Sequence, residues 1–379
     1  MNMGCFDRII MRLSKISPRL LVIFLAACLP AAAQLAPSEP DPLSRIRDAA
    51  KTNVQACSAT GESLCEQVAP KIVGNAEGDS PLAGNLERLI NIVKNQTLSR
   101  AGESVSVAWA IQAFHEANVE VHKEEEKFPV KGSPEGSHDW EAVVGEIRGR
   151  EKPDEWVLLG AHLGSPAPTL EQAYNAALVI EAARDIQLTG IRPRRSIRFV
   201  LFGEGLHRMD GAWNYVRMHR DELYHASGAI IFSAAANPIA GFALNGRHDI
   251  EPGVREALQP IYAMGITHHT FDVPLEKYSL DFILEGIPTL VAPSKEASNS
   301  LVDIVSASSS EKFDLPELKR NTAIAAVTVF GIAERAEPIG PRQSRADIES
   351  LLKATGLEDQ MKAADLWLLW ESDQRGRSR

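Results

Sequence analysis

Histidine, glutamate and cysteine side chains give this sequence its potential for metal or nucleophilic chemistry. It contains 10 histidines and 4 cysteines, enough for a zinc site or a reactive thiol. His162 follows the apolar run 156–161, and Glu204 and His207 follow the apolar run 197–202. Imidazole nitrogens and carboxylate oxygens bind zinc, and three protein ligands leave one position open for water. The three residues could therefore share a single zinc ion, or they could be two solvated loop residues and a buried histidine.

Two other chemistries lack the residues that they need. Gly203-Glu204-Gly205 resembles part of a phosphate-binding loop, but the required Lys-Ser/Thr pair is missing. Ser165 and Ser233 do not lie in the Gly-x-Ser-x-Gly pattern that marks many serine nucleophiles. Neither phosphate transfer nor serine hydrolysis is indicated.

The charge balance argues against a nucleic-acid partner. The chain has 40 basic and 50 acidic residues, a net charge of -10, and a sequence pI near 5.6. Binding to a polyanion usually requires a basic surface, which this composition does not favour. With 44% hydrophobic and 24% charged residues, the composition is typical of a folded, soluble chain.

The first 33 residues have the pattern of a secretory signal peptide. Basic residues precede the apolar run 20–29, and Ala31-Ala32-Ala33 provides the small residues of a cleavage site. The apolar run is about half of the roughly 20 residues that a spanning helix needs, so we expect no transmembrane segment. Export to the periplasm or the medium is predicted. Leu25-Ala26-Ala27-Cys28 also fits a lipoprotein signal, which leaves a lipid anchor at Cys28 as the alternative.

An N-terminal extension is predicted over residues 34–84. Cleavage after Ala33 would leave Cys57 and Cys65 as the two cysteines of the mature chain. An even pair of nearby cysteines in an oxidising compartment favours a local disulfide. A reactive or metal-binding thiol pair is disfavoured because no histidine lies near it in sequence.

Apolar strands and helices alternate through the middle of the chain. Strands are predicted at 156–162, 196–202, 228–232 and 288–292, and the main helices at 173–187 and 315–334. This alternation indicates an α/β domain over residues 85–336 with a largely parallel sheet. Ligands in such sheets bind beyond the carboxyl ends of the strands. After it, residues 337–379 are predicted to form a linker and one amphipathic helix from about 345 to 370.

Two stretches carry a resemblance to a known family. Residues 156–165 and 198–216, supported by 175–184 and Gly286-Ile287-Pro288, resemble the zinc-dependent aminopeptidases. That family includes bacterial leucyl aminopeptidase, glutamate carboxypeptidases, glutaminyl cyclases and the transferrin receptor ectodomain. The resemblance implies a three-layer αβα sandwich with a mixed, mainly parallel central sheet.

The resemblance also implies where a two-zinc site would lie, and most of its positions are substituted. His162 matches the histidine ligand of the first motif. No histidine occurs beyond His269, although the family's last ligand should follow Gly286-Ile287-Pro288. Gly164 stands where the family has the aspartate that orients the histidine of the first motif. The positions of the family's other carboxylate ligands and of its base carry Tyr174, Gly205, Leu206 and Ser233, none of which supplies a carboxylate.

We therefore predict an exported pseudopeptidase that has lost most metal ligands and serves a binding or accessory role. A peptide or protein ligand is expected, and no cofactor. The alternative is a metallo-aminopeptidase or amide hydrolase with a rebuilt single-zinc site around His162, for which His207 is a candidate ligand and Glu204 the candidate base.

Overall fold

A computed structural model describes nine stretches of the chain. They comprise residues 67–95, 100–129, 137–163, 170–203, 211–233, 237–273, 275, 278–292 and 314–378. The predicted signal peptide, Cys28 and the predicted Cys57–Cys65 disulfide lie outside these residues. So do Gly164, Glu204, Gly205, Leu206 and His207.

A six-stranded sheet forms the centre of the domain, in the order β1-β2-β4-β3-β5-β6. Neighbouring pairs β4–β3, β3–β5 and β5–β6 are parallel, and β2 is antiparallel to both β1 and β4. The strands are β1 (Glu120–Pro129), β2 (Ser137–Ile147), β3 (Lys152–His162), β4 (Arg195–Phe202), β5 (Ala226–Phe232) and β6 (Thr289–Ala292). The predicted mixed, mainly parallel sheet is confirmed.

Helices cover both faces of this sheet. The domain helices are α1 (Ala69–Glu77), α2 (Leu82–Asn95), α3 (Arg100–Glu116), α4 (Leu170–Leu188), α5 (Trp213–Met218), α6 (Glu251–Leu258), α7 (Leu280–Leu284) and α8 (Leu315–Glu334). Three short 3-10 helices, Arg220–His225, His248–Ile250 and Gln259–Met264, connect them. No helix in the described ranges is long and apolar enough to cross a membrane.

Alternating side chains of each central strand enter two separate cores. In β3, Val157, Leu159 and Ala161 pack in the core under α4 and α8. Trp156 and Leu158, on the other face, pack in the core that includes α5 and α7. Because strand side chains alternate with period two, both faces are covered and the fold has three layers. The predicted αβα sandwich is confirmed.

Strand β1 lies at the edge of the sheet and is strongly charged. Lys123 lies 3.1 Å from Glu141 on β2 and also bonds Glu125. Glu126 pairs with Arg217 at 2.7 Å. These salt bridges connect charged side chains of β1 to β2 and to α5.

Helix α8 follows the sequence prediction at both ends. Asp314 caps its first turn by accepting a hydrogen bond from the Glu317 amide at 3.0 Å, and Pro316 occupies an early position where no amide is needed. Its residues from Asn321 to Ala333 are buried, because the helix lies in the middle of its layer. An apolar surface all round is typical of such a central helix.

The single amphipathic helix predicted over about 345–370 is wrong. The segment forms three helices, α9 (Arg345–Ala354), α10 (Leu357–Ala363) and α11 (Trp367–Glu371). The chain reverses at Gly356 and Asp365, which both have positive φ angles, 72° and 59°. The three helices then bury Leu352, Met361 and Trp370 in one small core with α7.

Helix α1 lies within the range that the sequence analysis assigned to the extension. Its side chains Ile72 and Val73 are buried in the same core as α4 and α8. Asn75 donates a hydrogen bond to the Asp185 carbonyl oxygen on α4 at 2.9 Å. The packed domain therefore begins before residue 85.

Two carboxylic acids lie one helical turn apart on α4 beneath α1 and α8. Glu181 accepts a hydrogen bond from Arg184 at 2.9 Å, whereas neither carboxyl oxygen of Asp185 has a hydrogen-bond partner among the described residues. Burial raises the pKa of Asp185 well above its usual range, and the neighbouring Glu181 raises it further, while Arg184 and Lys319 act against this. Burial also raises the pKa of Glu181.

We expect Asp185→Asn to stabilise the protein at neutral pH and to flatten its pH dependence. A raised carboxyl pKa contributes stability that is complete below the unfolded value and is lost as the pH rises to the folded value. The gain should be small near pH 4 and on the order of 1 kcal/mol or more near pH 8, because each unit by which the folded pKa is raised costs about 1.4 kcal/mol once the unfolded carboxyl ionises. Urea unfolding at several pH values measures it.

Asp154→Asn is the matched control, because Asp154 is exposed on β3. It should leave the free energy of unfolding nearly unchanged at every pH. Equal pH profiles for the wild-type protein and Asp185→Asn would contradict the raised pKa.

Candidate functional site

Four parallel strands end at one edge of the sheet, and this edge is the candidate site. β3 ends at His162, β4 at Phe202, β5 at Phe232 and β6 at Ala292. His162 stands opposite Phe202 in the β3–β4 register. Ser233 continues from β5, and its amide donates to the Ala292 carbonyl oxygen at 3.1 Å. The predicted site residues that are described therefore reach the edge where α/β folds bind ligands.

His162 is buried at this edge against an aromatic ring. Only 3% of the residue is exposed, and the centre of its imidazole lies 4.8 Å from that of the Tyr278 ring. His162 belongs to the strand face of Trp156 and Leu158, on which α5 and α7 pack. The ring therefore points into the aromatic layer of the domain.

Four aromatic side chains form a cluster that meets His162 through Tyr278, which we call the aromatic cap: Phe202, Tyr215, Tyr278 and Phe282. The Phe202 ring lies 6.0 Å from Tyr278, 5.6 Å from Tyr215 and 6.2 Å from Phe282. All four residues are buried. Gly211 is pressed so closely on the Tyr278 ring that a side chain at position 211 would collide with it.

Tyr174 occupies the position at which the resemblance places a carboxylate that bridges two zinc ions. It lies in the second turn of α4, directly before the buried Asn175, and is itself 7% exposed. Its side chain packs in the core under α4 and α8. A phenol with a pKa near 10 is neutral at physiological pH, so Tyr174 cannot balance the charge of two cations.

Ser233 occupies the position of a further carboxylate ligand. It is half-buried, directly beyond β5. Its hydroxyl is a far weaker zinc ligand than a carboxylate. The described residues at the predicted site positions thus offer one imidazole, one phenol and one hydroxyl.

This set of donors does not fit a centre of two zinc ions. Such a centre requires several anionic or imidazole ligands around each ion. Within the described ranges, no three histidine, cysteine, aspartate or glutamate side chains are grouped so that they could hold a metal ion. The predicted single-zinc site depends on Glu204 and His207, which lie outside the described residues, and it stays a prediction.

Sequence reasoning missed the residues that surround His162. Tyr278 belongs to no motif, and Tyr215 lies within the resembling stretch 198–216 without being a predicted site residue; both are placed here by packing on one face of the sheet. The Gly286-Ile287-Pro288 segment was the available signal, because Tyr278 and α7 directly precede it. Nothing in the local pattern indicates that Tyr278 reaches the end of β3.

A network of charged residues lies beside the aromatic cap. His219 follows α5, and its ring centre lies 4.3 Å from that of Tyr215. Its Nε2 atom lies 3.0 Å from a Glu124 carboxylate oxygen on β1, and its Nδ1 atom lies 3.3 Å from Glu222. Glu222 also accepts a hydrogen bond from Arg198 at 2.8 Å. The network connects the edge strand to the helix layer that carries the cap.

Opposite charges shift the pKa values of this network in opposite directions. Burial lowers the pKa of His219, but hydrogen bonds to Glu124 and Glu222 outweigh it and hold the pKa above its ordinary value. Burial raises the pKa of Glu124, but bonds to His219 and His122 outweigh it and hold the pKa below its ordinary value. The ion pair between His219 and Glu124 is therefore favoured in the folded state.

Comparison with known proteins identifies the fold. No protein-family model and no curated protein sequence matches the chain. An M28 peptidase precursor from Shewanella amazonensis is similar with a TM-score of 0.62 and 14% identity, over 78% of this chain and 100% of that one. An aminopeptidase from an Aneurinibacillus species is similar with a TM-score of 0.53 and 12% identity, over 74% and 100%. A glutaminyl cyclase from Fimbriiglobus ruber is similar with a TM-score of 0.52 and 13% identity, over 66% and 93%.

These similarities confirm the predicted zinc-aminopeptidase-like fold. The three solved structures are covered almost completely, so their whole domain is present in this chain. The shared architecture is the αβα sandwich with its mixed sheet. At 12–14% identity, the likeness concerns the fold alone.

We expect His219→Gln to destabilise the protein in a pH-dependent way. The raised pKa of His219 contributes stability that is fully present below the unfolded histidine pKa and is lost as the pH rises through the folded value. The lowered pKa of Glu124 contributes stability that is lost as the pH falls through the folded pKa of that carboxyl. The loss should be about 1 kcal/mol near pH 5.5 and smaller near pH 8.5. Thermal unfolding across this range measures it.

The exposed His268 provides the control variant His268→Gln. It should follow the wild-type profile at every pH. If His219→Gln lowers stability equally at both pH values, the ion pair with Glu124 is not the source of the effect.

Proposed function

We propose that this protein is an exported, non-catalytic relative of the zinc aminopeptidases that binds a peptide or protein ligand. One observation carries the proposal: Tyr174, at the bridging-ligand position, is a buried phenol within the core of α4. A two-zinc hydrolase needs a carboxylate there, because a bridging anion lets two cations lie close together. Because the chain has an aminopeptidase-like fold, its positions can be compared with those of the zinc aminopeptidases.

The surroundings of His162 support the same conclusion. A catalytic zinc keeps one position open to water or substrate, so its ligands line an accessible cavity. His162 instead lies 3% exposed beneath Tyr278, within an aromatic layer. An imidazole that is buried against an aromatic ring lacks the access to water and substrate that a catalytic zinc ligand needs.

A binding role is consistent with what the fold retains. The carboxyl edge of β3, β4, β5 and β6 is the surface on which α/β proteins bind ligands. Similar solved structures include an aminopeptidase and a glutaminyl cyclase, so a peptide is the proposed ligand class. The acidic net charge of -10 disfavours nucleic acid as a partner.

Export is part of the proposal and rests on the N-terminal pattern. Cleavage after Ala33 would release a soluble chain, whereas acylation of Cys28 would leave a lipid anchor. The intact mass of the mature protein separates these two forms. A mature chain that still begins at Met1 would contradict export by this signal.

We expect purified full-length protein to bind much less than one zinc ion per chain and to lack hydrolytic activity. The protein is incubated with zinc, freed of unbound metal and assayed by elemental analysis. Hydrolysis of aminoacyl anilides and cyclisation of glutaminyl peptides are then measured with and without zinc. The physical reason is that the described residues at the edge do not include the carboxylates that a two-zinc centre requires.

His162→Ala is compared with His115→Ala, a substitution of an exposed histidine on α3. Neither change should alter zinc content or activity. Stoichiometric zinc and activity that are both lost in His162→Ala alone would overturn the proposal in favour of the single-zinc enzyme. Saturable binding of a short-peptide library, measured by fluorescence polarisation, tests the ligand class, and a complete lack of binding would count against it.

A further inference from the structure

A buried ion pair fastens the end of the described chain to α7. The Arg375 guanidinium donates to both carboxylate oxygens of Asp281, from Nε at 2.7 Å and from Nη2 at 2.8 Å. Both side chains are almost wholly buried, at 0% and 1% exposure. A planar guanidinium matches a carboxylate at two points, so this contact fixes orientation as well as distance.

The same guanidinium also reaches the helix on the other side of the cap. Its central carbon lies 5.3 Å from the ring centre of Trp213, the first residue of α5. Asp281 lies on α7 and Trp213 on α5, which are distant in sequence. Arg375 therefore adds a buried polar contact between two elements that also pack through Tyr215 and Phe282.

Those two elements hold Tyr278 between them. Tyr278 directly precedes Ser279 and α7, while Gly211 lies just before α5 and is pressed on the Tyr278 ring. Tyr278 in turn lies on His162, 4.8 Å between ring centres. A continuous set of contacts thus runs from Arg375 to the end of β3.

Further contacts hold residues 366–378 in place, and we call this segment the strap. The Arg345 guanidinium lies 3.7 Å from the Trp370 ring centre and donates to the Trp370 carbonyl oxygen at 2.5 Å. Arg345 also pairs with Asp373 at 2.7 Å. Gly376 adopts a φ of 79° against the Trp370 ring, where a side chain would collide. The strap is thus packed as part of the domain.

We propose that the strap is a built-in closure of the candidate site, which holds Tyr278 over His162 and exposes His162 when it is released. Arg375 is a positioning residue in this device, because it acts on His162 only through α5, α7 and Tyr278. The closure goes beyond the proposed function and stands on the contacts above, whether or not the protein hydrolyses a substrate.

The test is the rate at which diethyl pyrocarbonate modifies His162 in the full chain, followed by peptide mass mapping. His162 should react slowly in the wild-type protein. Arg375→Ala should raise its rate by about tenfold or more, because losing one partner of a buried ion pair lowers the cost of local opening. Tyr278→Ala should raise the rate as well, since it removes the covering ring directly. The exposed His115 serves as the reference in each sample.

Arg195→Ala is the matched control, because Arg195 is also a fully buried arginine with an ion-pair partner, Glu155, at 2.6 Å. It lies at the beginning of β4, at the opposite edge of the sheet. Arg195→Ala should lower overall stability yet leave His162 slow to react. An unchanged His162 rate in Arg375→Ala or Tyr278→Ala, or an equal increase in Arg195→Ala, would overturn the closure.

Arg375→Lys replaces Arg375→Ala if the latter does not fold by circular dichroism. A lysine keeps the charge but cannot make the two-point contact with Asp281. The same comparison with Arg195→Ala then applies. An increase confined to His162 supports the strap, and no increase rejects it.

Discussion

The parallel pairing of β3 with β4 and β5 is the constraint on which the rest of this structure depends. It places β3 in the middle of the sheet, with both faces covered by helices. A strand in that position must divide its side chains between two apolar layers. The side chain of its last residue, His162, therefore lies against aromatic residues of one of these layers, which limits its access to solvent.

The two faces of the sheet affect the candidate site differently. Tyr174 is enclosed in the layer of α4 and α8, whereas His162 is enclosed in the layer of α5 and α7. A shared metal centre would bring these two side chains together, but each of them packs on a different face of the sheet. The neutral phenol of Tyr174 costs less to bury than a carboxylate would, so apolar packing includes this position.

Most of the central strands and α8 could be predicted from the sequence, because they depend on local patterns of apolar residues. The apolar runs ending at His162, Phe202 and Phe232 predict buried strands, and α8 was predicted with its observed ends. The prediction of one C-terminal helix was wrong for a local reason, because Gly356 and Asp365 turn the chain within the span of the expected helix. The covering of His162 could not be predicted, because Arg375 and Asp281 meet across 94 positions and Tyr278 carries no motif.

The charged edge strand has a consequence for the behaviour of the protein in solution. An uncovered strand at the rim of a sheet exposes amide and carbonyl groups that a second chain could pair with. In β1, Lys123, Glu125 and Lys127 are exposed, and a second strand pairing with this edge would have to accommodate their charges. The rim that lies farthest from β6 therefore resists edge-to-edge aggregation, even though the sheet behind it is built from strongly apolar strands.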